Sequence, residues 1–324
     1  MTHAIRIHEY GGPEALRWEE HAVGAPGPGE VRIRHTAVGL NYIDTYHRTG
    51  AYPLAALPAV IGMEGAGVVI AIGADVADLA EGDRVAYANP IGAYAEERLI
   101  PADRLVKIPD GVDDRSAAAM MLQGMTAQYL LRRTFKVGPE TVLLFHAAAG
   151  GVGLIACQWA RHLGATVIGT VGSDEKAELA RAAGCNHVIN YRTENFVDRV
   201  REITSGQGCD VVFDGIGRDT YPASLDCLKP FSLWVTFGAA SGKIEKFDLG
   251  LLASKGSLYA TRPTLFTYTA KRADLVSSAA ELFDVVGRGI VKINVNQTYP
   301  LAAAADAHRD LEARRTTGST VLIP

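Results

Sequence analysis

Short segments in which apolar and polar residues alternate dominate the N-terminal part of the chain. The alternation is clearest in residues 30–40 (EVRIRHTAVGL), and related runs occupy 4–21, 62–73 and 93–109. A period of two is typical of strands that bury one face, and the Gly and Pro residues between the runs favour turns. The pattern predicts a partly closed β domain made of many short strands.

The periodicity changes near residue 113, where a helical pattern begins. Asp113, Asp114 and Ser116 are each suitable N-caps for a helix over residues 113–135. Beyond it, strands are predicted at 141–145, 166–171, 187–191, 210–217, 233–239 and 256–263, and helices at 151–164, 174–184, 195–206 and 220–231. Alternation of apolar strands with helices indicates a parallel sheet that is covered on both faces.

The C-terminal segment, residues 271–324, carries the pattern of a helix, a strand, a second helix and a last strand. We expect this tail to return to the first domain, which makes that domain discontinuous. The predicted boundaries are therefore 1–122 with 265–324 for the β-rich domain, and 123–264 for the parallel-sheet domain.

A glycine-rich segment, HAAAGGVG (146–153), lies between a predicted strand and a predicted helix. In the dinucleotide fingerprint GxGxxG, three glycines allow a tight turn, close approach of the pyrophosphate and close helix–strand packing. Ala148, Gly150 and Gly153 hold those three positions here. The amides of this loop are predicted to bind a diphosphate, and they belong to Ala149, Gly150, Gly151, Val152 and Gly153. The alternative is a packing turn in a fold that has lost its cofactor.

The residues after the second strand of this unit bear on which nucleotide is bound. An NAD site usually places Asp or Glu there to hold the ribose 2′-hydroxyl. This strand ends in Val171, Gly172 and Ser173, and Asp174 comes late enough to cap the next helix. Ser173 and Lys176 together suit a 2′-phosphate, so we expect NADPH; Lys176 as a solvated helix residue is the alternative.

Composition and charge limit the classes of function. The chain has 324 residues, 48% of them hydrophobic, and a net charge of -4, which does not favour nucleic-acid binding. Its longest apolar run, 117–122, is far shorter than the ~18 residues of a membrane span. Because no apolar signal segment is apparent and the four cysteines form no CxxC pair, reduced thiols and a cytoplasmic location are expected.

From end to end, the chain resembles the zinc-free, zeta-crystallin-like quinone oxidoreductases of the medium-chain dehydrogenase/reductase superfamily. Segments that carry the resemblance are 8–18 (HEYGGPEALRW), 39–53 (GLNYIDTYHRTGAYP), 62–69 (GMEGAGVV), 81–88 (EGDRVAYA), 146–160 (HAAAGGVGLIACQWA), 189–196 (INYRTENF) and 256–263 (GSLYATRP). The resemblance implies a GroES-like partly closed β-barrel catalytic domain and a doubly wound parallel-sheet (Rossmann) domain that binds NADPH. It also implies a homodimer.

Zinc-dependent members of that superfamily have a Cys and a His as zinc ligands where this chain has Asn41 and Met63. A catalytic zinc ion needs about three protein ligands of nitrogen, sulfur or oxygen. His47, Glu64 and His146 remain, but they do not form a recognisable set. No cysteine precedes Cys157, so the cysteine-rich structural zinc lobe is also missing from the sequence. We expect no metal.

The resemblance places two candidate catalytic residues beside the nicotinamide. Asn41 offers an amide to the ribose or to a substrate oxygen, and Tyr46 offers a hydroxyl to the nicotinamide or the quinone; an aromatic anchor is the alternative for Tyr46. Asp44 is expected to be a structural acceptor and Arg48 a surface or ion-pair residue.

Further cofactor contacts are implied in the same way. Thr126, Phe237 and Gly238 are expected near the nicotinamide, and Gly215 and Ile216 near a ribose. Tyr191 is expected over the adenine or its 2′-phosphate, with core packing as the alternative, and Arg314 at the 2′-phosphate, where Arg315 could serve instead. Gln123 stands where similar proteins often have Lys, and His146 is expected to be structural.

The predicted function is therefore reduction of a quinone by NADPH, with hydride transfer and no metal. An electron-poor quinone accepts hydride without a Lewis acid, so the protein mainly orients the reactants and excludes water. Reduction of α,β-unsaturated aldehydes or ketones by the same step is a close alternative. A non-catalytic nucleotide-binding or RNA-binding protein is the alternative from another class.

Overall fold

The computed structural model describes residues 2–324, and the chain divides into two units. The first unit consists of the chain up to Met125 together with Thr269–Gly287 and Ile293–Pro324. The second unit consists of Thr126–Tyr268 and Arg288–Lys292. The C-terminal tail thus belongs with the N-terminal strands.

The strands in chain order are β1 (Thr2–Ile7), β2 (Arg17–His21), β3 (Glu30–Leu40), β4 (Ala59–Val60), β5 (Glu64–Ile72), β6 (Arg84–Tyr87), β7 (Glu97–Pro101), β8 (Val106–Lys107), β9 (Val142–Phe145), β10 (Thr166–Val171), β11 (His187–Asn190), β12 (Cys209–Asp214), β13 (Leu228–Thr236), β14 (Tyr259–Thr261), β15 (Val295–Pro300) and β16 (Ser319–Ile323). The α-helices are α1 (Tyr42–Thr49), α2 (Asp114–Tyr129), α3 (Gly151–His162), α4 (Asp174–Ala182), α5 (Phe196–Ile203), α6 (Gly250–Ser254), α7 (Leu265–Tyr268), α8 (Arg272–Gly287) and α9 (Ala304–Glu312). Asp113 caps the start of helix α2, because its Oδ1 accepts a hydrogen bond from the Ser116 amide at 2.9 Å.

Strand β3 organises the first unit. It pairs antiparallel with β5, β7 and β16, in a sheet ordered β15-β16-β3-β5-β6-β8 with β7 also on β3. Thr320 on β16 lies opposite Leu40, so the tail is hydrogen-bonded into the N-terminal sheet. Register shifts along β3 are bulges, which bend and twist a sheet toward closure.

The second unit is a parallel sheet ordered β11-β10-β9-β12-β13-β14. After β9, the strands β10 and β11 are added on one side of β9, and β12, β13 and β14 are then added on its other side. The strand order therefore reverses between β9 and β12, where open α/β sheets bind ligands at the carboxyl ends of their strands. Phe145 on β9 lies opposite Phe213 on β12, and both rings are buried.

The predicted fold class, a β-rich domain with a doubly wound parallel sheet, is confirmed. The predicted helix over 220–231 is wrong. Only Ala223–Cys227 forms a short 3-10 helix, and β13 already begins at Leu228, which pairs with Cys209. Pro230 has no N–H with which to continue a helix, and the edge of β12 offers Leu228 backbone partners instead.

Candidate functional site

The loop between β9 and α3 makes a tight turn into the helix, and we name residues 146–153 the phosphate loop after their predicted role. Ala147 has φ of 56°, in the left-handed region, and the Gly150 amide donates to the Ala147 carbonyl at 2.9 Å. Helix α3 then starts at Gly151. The first amides of a helix have no acceptor within the helix, and the helix dipole favours an anion at this end.

Close packing explains the glycine and alanine positions of the loop. A Cβ atom on Gly153 would lie 2.4 Å from the Ala147 carbonyl oxygen and 2.7 Å from that of Ala148. Ala148 holds the first fingerprint position, and Gly169 on β10 compensates, because a Cβ atom there would lie 2.7 Å from the Ala148 methyl. A side chain larger than hydrogen at Gly153 would therefore displace the loop.

His146 ties this loop to the neighbouring strands. Its Nδ1 lies 2.9 Å from Thr170 Oγ1 and its Nε2 lies 3.1 Å from Ser224 Oγ, while Ser224 donates to Asp214 Oδ2 at 3.0 Å. Because the Ser224 proton goes to Asp214, Nε2 of His146 must donate and Nδ1 must accept. Burial lowers the pKa of His146. These contacts agree with the structural role predicted for His146.

Asp214 is a buried carboxylate at the predicted ribose-binding turn, and it was not among the residues predicted from the sequence. Besides Ser224, its carboxylate accepts from the amides of Ile216 and Gly217 at 2.9 and 3.1 Å and from Thr220 Oγ1 at 2.8 Å. It thereby shapes the turn after β12 that contains Gly215 and Ile216. An acid at the end of the apolar run VVFD (211–214) was the available signal.

Of the residues that were predicted to select the nucleotide, Ser173, Lys176 and Tyr191 lie close together at the end of β10, whereas Arg314 belongs to the first unit. Ser173 caps α4 by accepting from the Lys176 amide at 3.3 Å. A Cβ atom on Gly172 would lie 2.5 Å from the Tyr191 hydroxyl, so the tyrosine covers the end of β10. Lys176 is half-buried and Tyr191 is 42% exposed. Asp174 points to Asn190, whose Nδ2 donates to it at 2.9 Å.

The ends of β12 and β13 are also in contact. A Cβ atom on Gly238 would lie 2.5 Å from the Gly215 carbonyl oxygen, and one on Gly215 would lie 3.1 Å from the Phe237 ring. Arg262, which the sequence reasoning did not single out, donates to the carbonyls of Thr236 and Gly238 at 3.1 and 3.0 Å. Thr126, in the same unit, is buried.

In the first unit, Asn41 lies in a buried group that we name the Asn41 cluster (Asn41, Glu64, Gln123 and Ser319). Asn41 Nδ2 donates to Glu64 Oε2 at 2.5 Å, and Gln123 Nε2 donates to Asn41 Oδ1 at 3.0 Å. Burial raises the pKa of Glu64 to about 8, although the donated hydrogen bonds oppose this. Glu64 and Ser319 were not predicted as site residues.

Asp44 and Arg48 belong to a second buried network on helix α1. Asp44 accepts from the Asn41 amide at 2.9 Å and from the Tyr94 hydroxyl at 3.0 Å, in agreement with a structural acceptor. Burial raises the pKa of Asp44 to about 7. Arg48 is 1% exposed and pairs with Glu312 at 2.7 Å, so it is an ion-pair residue of the interior.

Tyr46 is half-buried in a group of three tyrosines. Its ring centroid lies 5.6 Å from that of Tyr42 and 5.0 Å from that of Tyr52, both edge to face. Tyr52 also donates its amide to the Tyr46 carbonyl at 3.0 Å. The group presents aromatic surface together with hydroxyls, which suits a flat ligand that carries oxygen atoms.

Arg314 and Arg315 follow helix α9 in the first unit. Arg314 is exposed and has φ of 60°, while Arg315 pairs with Asp310, its Nε donating at 2.8 Å.

Within residues 2–324, no three His, Cys, Asp or Glu side chains are grouped so that they could hold a metal ion. Over the same residues, none of the helices is both long and apolar enough to cross a membrane.

Two family models match the chain, one described as an alcohol dehydrogenase GroES-like domain over residues 27–110 and one as a zinc-binding dehydrogenase over residues 151–278. A quinone oxidoreductase from Pseudomonas aeruginosa is 52% identical and a 2-haloacrylate reductase from a Burkholderia species is 50% identical. Both alignments cover 100% of this chain, and they cover 100% of the quinone oxidoreductase and 99% of the 2-haloacrylate reductase.

Similarity to a solved structure leads to the same family. The Escherichia coli quinone oxidoreductase complexed with NADPH superposes with a TM-score of 0.98 at 47% identity, and the match covers 99% of this chain and 100% of that one. The predicted resemblance is confirmed. The chain belongs to the quinone oxidoreductase family of the medium-chain dehydrogenase/reductase superfamily.

Proposed function

We propose that this protein is an NADPH-dependent quinone reductase that transfers hydride to a quinone without a metal ion. The observation that carries the proposal is the group at the end of β10, Ser173 with Lys176 and Tyr191, beside the phosphate loop. It occurs in a chain that matches quinone oxidoreductases over its full length. One of those relatives has been solved with NADPH bound.

The residues present fit this cofactor. The loop amides of Ala149, Gly151, Val152 and Gly153 would bind the diphosphate, because Gly153 keeps the loop close to α3 and the helix start is electropositive. The Gly150 amide, which was also predicted to bind it, instead donates to the Ala147 carbonyl and fixes the turn. Ser173 and Lys176 would bind the 2′-phosphate, with Tyr191 and Arg314 as further contacts. Gly215 and Ile216 would border a ribose, and Thr126, Phe237 and Gly238 the nicotinamide.

Bound NADPH supplies a hydride from C4 of its nicotinamide ring. Negative charge then develops on a quinone oxygen, and hydrogen-bond donors aimed at that oxygen lower the barrier. Asn41 and Tyr46 would be those donors, through the Asn41 Nδ2 hydrogen that Glu64 does not take and through the Tyr46 hydroxyl. The reduced product can take its proton from water or from a hydroxyl.

The direct test is NADPH oxidation by the purified protein against 1,4-benzoquinone and 9,10-phenanthrenequinone, with binding of NADPH and NADH measured by calorimetry. We expect turnover with at least one quinone and a preference for NADPH of about 100-fold in kcat/KM, or about 2.7 kcal/mol. Absence of binding heat from both coenzymes would refute the proposal.

Reduction of an α,β-unsaturated carbonyl compound is the second candidate function. The 2-haloacrylate reductase relative, at 50% identity, favours it because a 2-haloacrylate is an α,β-unsaturated carbonyl compound. Values of kcat/KM for the two quinones, a simple enone and 2-chloroacrylate would rank the two functions. A higher value for the enone or for 2-chloroacrylate would make this second function the principal one.

We also propose that the protein is a homodimer joined through the β14 edge of the parallel sheet. In the part of the chain that the structure describes, β14 pairs with β13 on one side only, and Tyr259 is 62% exposed. An open strand edge readily pairs with another strand.

The four buried free cysteines suit a reducing compartment such as the cytoplasm. Sedimentation would test the homodimer, and cell fractionation would test the cytoplasmic location.

A further inference from the structure

The Asn41 cluster forms a continuous chain of hydrogen bonds through the interior of the first unit. Ser319 Oγ on β16 donates to Gln123 Oε1 at 2.7 Å, which is shorter than its 3.2 Å contact with the Ala119 carbonyl. Gln123 Nε2 on α2 donates to Asn41 Oδ1, and Asn41 Nδ2 donates to Glu64 Oε2 on β5. The chain therefore joins two strands, one helix and the start of another.

The direction of each hydrogen bond follows from the Glu64 carboxylate, which ends the chain of hydrogen bonds. Glu64 Oε1 accepts from the Leu122 amide at 2.8 Å, and both carboxylate oxygens are acceptors when the group is ionised. The Asn41 atom that faces Glu64 must therefore be Nδ2, which turns Oδ1 toward Gln123. Gln123 must then present Nε2 to Asn41 and Oε1 to Ser319.

The orientation of the Asn41 amide has a chemical consequence. Nδ2 carries two hydrogens, and the contact with Glu64 uses one, which leaves the other as a donor for a ligand oxygen. An amide rotated by half a turn would instead present a carbonyl lone pair to that oxygen. A lone pair repels an oxygen on which negative charge is developing, whereas an N–H stabilises it.

We propose that Gln123, supported by Ser319, is a positioning residue that holds the Asn41 amide so that it offers an N–H to the substrate carbonyl oxygen. Gln123 does not touch the substrate; it acts through Asn41. The inference rests on the proposed function, since it needs a substrate oxygen that gains charge. Glu64 is the anchor at the other end of the chain.

Ionisation of Glu64 adds a pH-dependent readout. The groups that face its carboxyl are Asn41 and Asp44 from the α1 end, the Met121 and Leu122 amides from α2, Tyr87 from β6, and Tyr94. Burial and the Asp44 carboxyl raise the pKa of Glu64, and protonation would turn one accepting oxygen into a donor that competes with Asn41. The hydrogen bond from Asn41 Nδ2 to Glu64 should then weaken.

The test compares Gln123→Met with Gln128→Met in the purified enzyme. Met has a similar length but lacks the amide, and Gln128 is a second buried glutamine on α2. We expect Gln123→Met to lower kcat for a quinone roughly ten-fold, with KM for NADPH within about two-fold, because a donor acting in the transition state is lost. Gln128→Met should keep kcat within about two-fold of wild type.

Ser319→Ala and Gln123→Lys complete the series. Ser319→Ala should lower kcat about three-fold. Gln123→Lys keeps a donor for Asn41 Oδ1, so it should retain most of the activity, and its charge should move the pH dependence of kcat to lower pH. A Gln123→Met enzyme with wild-type kcat, or equal losses in both methionine variants, would overturn the inference. If Gln123→Met does not fold, a pH profile of kcat that is not shifted in Gln123→Lys would overturn the inference instead.

The orientation of the amide can be measured without turnover. In the NMR spectrum of the wild type, one Nδ2 hydrogen of Asn41 should exchange slowly with solvent, and Gln123→Met should speed that exchange at least ~10-fold. If the wild type reduces no quinone, the proposed function fails, and the exchange experiment still decides whether Gln123 orients Asn41. Unchanged exchange in Gln123→Met would refute the positioning role.

Discussion

The phosphate loop and the Asn41 cluster are built in different ways. The loop is made of backbone atoms from the consecutive residues 146–153, and it depends on the small size of Gly153 and Ala148. The Asn41 cluster is made of side chains from four separate parts of the chain, and Ser319 is 196 residues from Gln123. A backbone site fails when an added atom does not fit, whereas a side-chain site fails when a partner loses its hydrogen bond.

The two regions also differ in electrostatics. The loop draws its positive potential from peptide dipoles at the start of α3, which do not titrate. The Asn41 cluster contains a carboxyl whose pKa is about 8. We therefore expect cofactor binding to depend weakly on pH and the chemistry at Asn41 to depend on it strongly.

The largest effect is expected for Gly153→Val. Its Cβ atom would lie 2.4 Å from the Ala147 carbonyl oxygen, so the loop must move away from α3. Calorimetry should show NADPH binding weakened at least ~100-fold. Gly138→Val is the control, because nothing lies within 4 Å of a Cβ atom there. Equal binding by both variants would show that the loop does not hold the diphosphate.

A smaller and more selective effect is expected for Lys176→Ala. Removal of one charge-assisted contact with the 2′-phosphate should raise KM for NADPH about 10- to 50-fold and leave KM for NADH within about two-fold. Lys136→Ala, which alters an exposed lysine of the same unit, should change neither value. Equal increases for both coenzymes would remove Lys176 from the 2′-phosphate site.

Glu64→Gln should separate activity from stability in the Asn41 cluster. In the wild type, kcat should rise with pH through about 8 as Glu64 ionises. The same raised pKa means that Glu64 stabilises the fold at low pH and that this contribution is lost as pH rises toward 8, so Tm should fall. Glu64→Gln should flatten both curves, apart from the dependence due to Asp44 near pH 7.

Glu97→Gln is the control for that pH experiment. Glu97 is also buried in the first unit, but Arg32 and Arg34 pair with it and the pKa of its carboxyl is lowered. Its substitution should therefore leave the rise of kcat through about pH 8 in place. A wild-type profile that is flat between pH 6 and 9 would contradict the role of Glu64.

No effect is expected from chelators. Asn41 and Met63 stand where zinc-dependent relatives have ligands, and Asn41 Nδ2 already donates to Glu64. Dialysis against EDTA should leave kcat for a quinone unchanged within error, and added zinc should not increase it. Loss of activity that zinc restores would contradict metal-free hydride transfer.

Much of the second unit could be predicted because its signals are local. The strand over 166–171 and the phosphate loop depend on neighbours within a few residues, and both occur where the pattern placed them. The segment 220–231 could not be predicted in this way. Its helical pattern is overridden by Pro230 and by pairing of Leu228 with Cys209, a residue that only the sheet brings close.

The sequence by itself determined the alternation of strands and helices, the phosphate loop, and the hydroxyl and lysine in place of an acid after β10. These features depend on periodicity and on chemistry between near neighbours. Only the tertiary structure decided that Ser224 would link His146 to Asp214. It also decided that Asn41 would lie between Glu64 and Gln123, with Ser319 bonded to Gln123. The reason is physical: register within the sheets selects these partners, and residues so far apart in the chain leave no periodic trace of their contact.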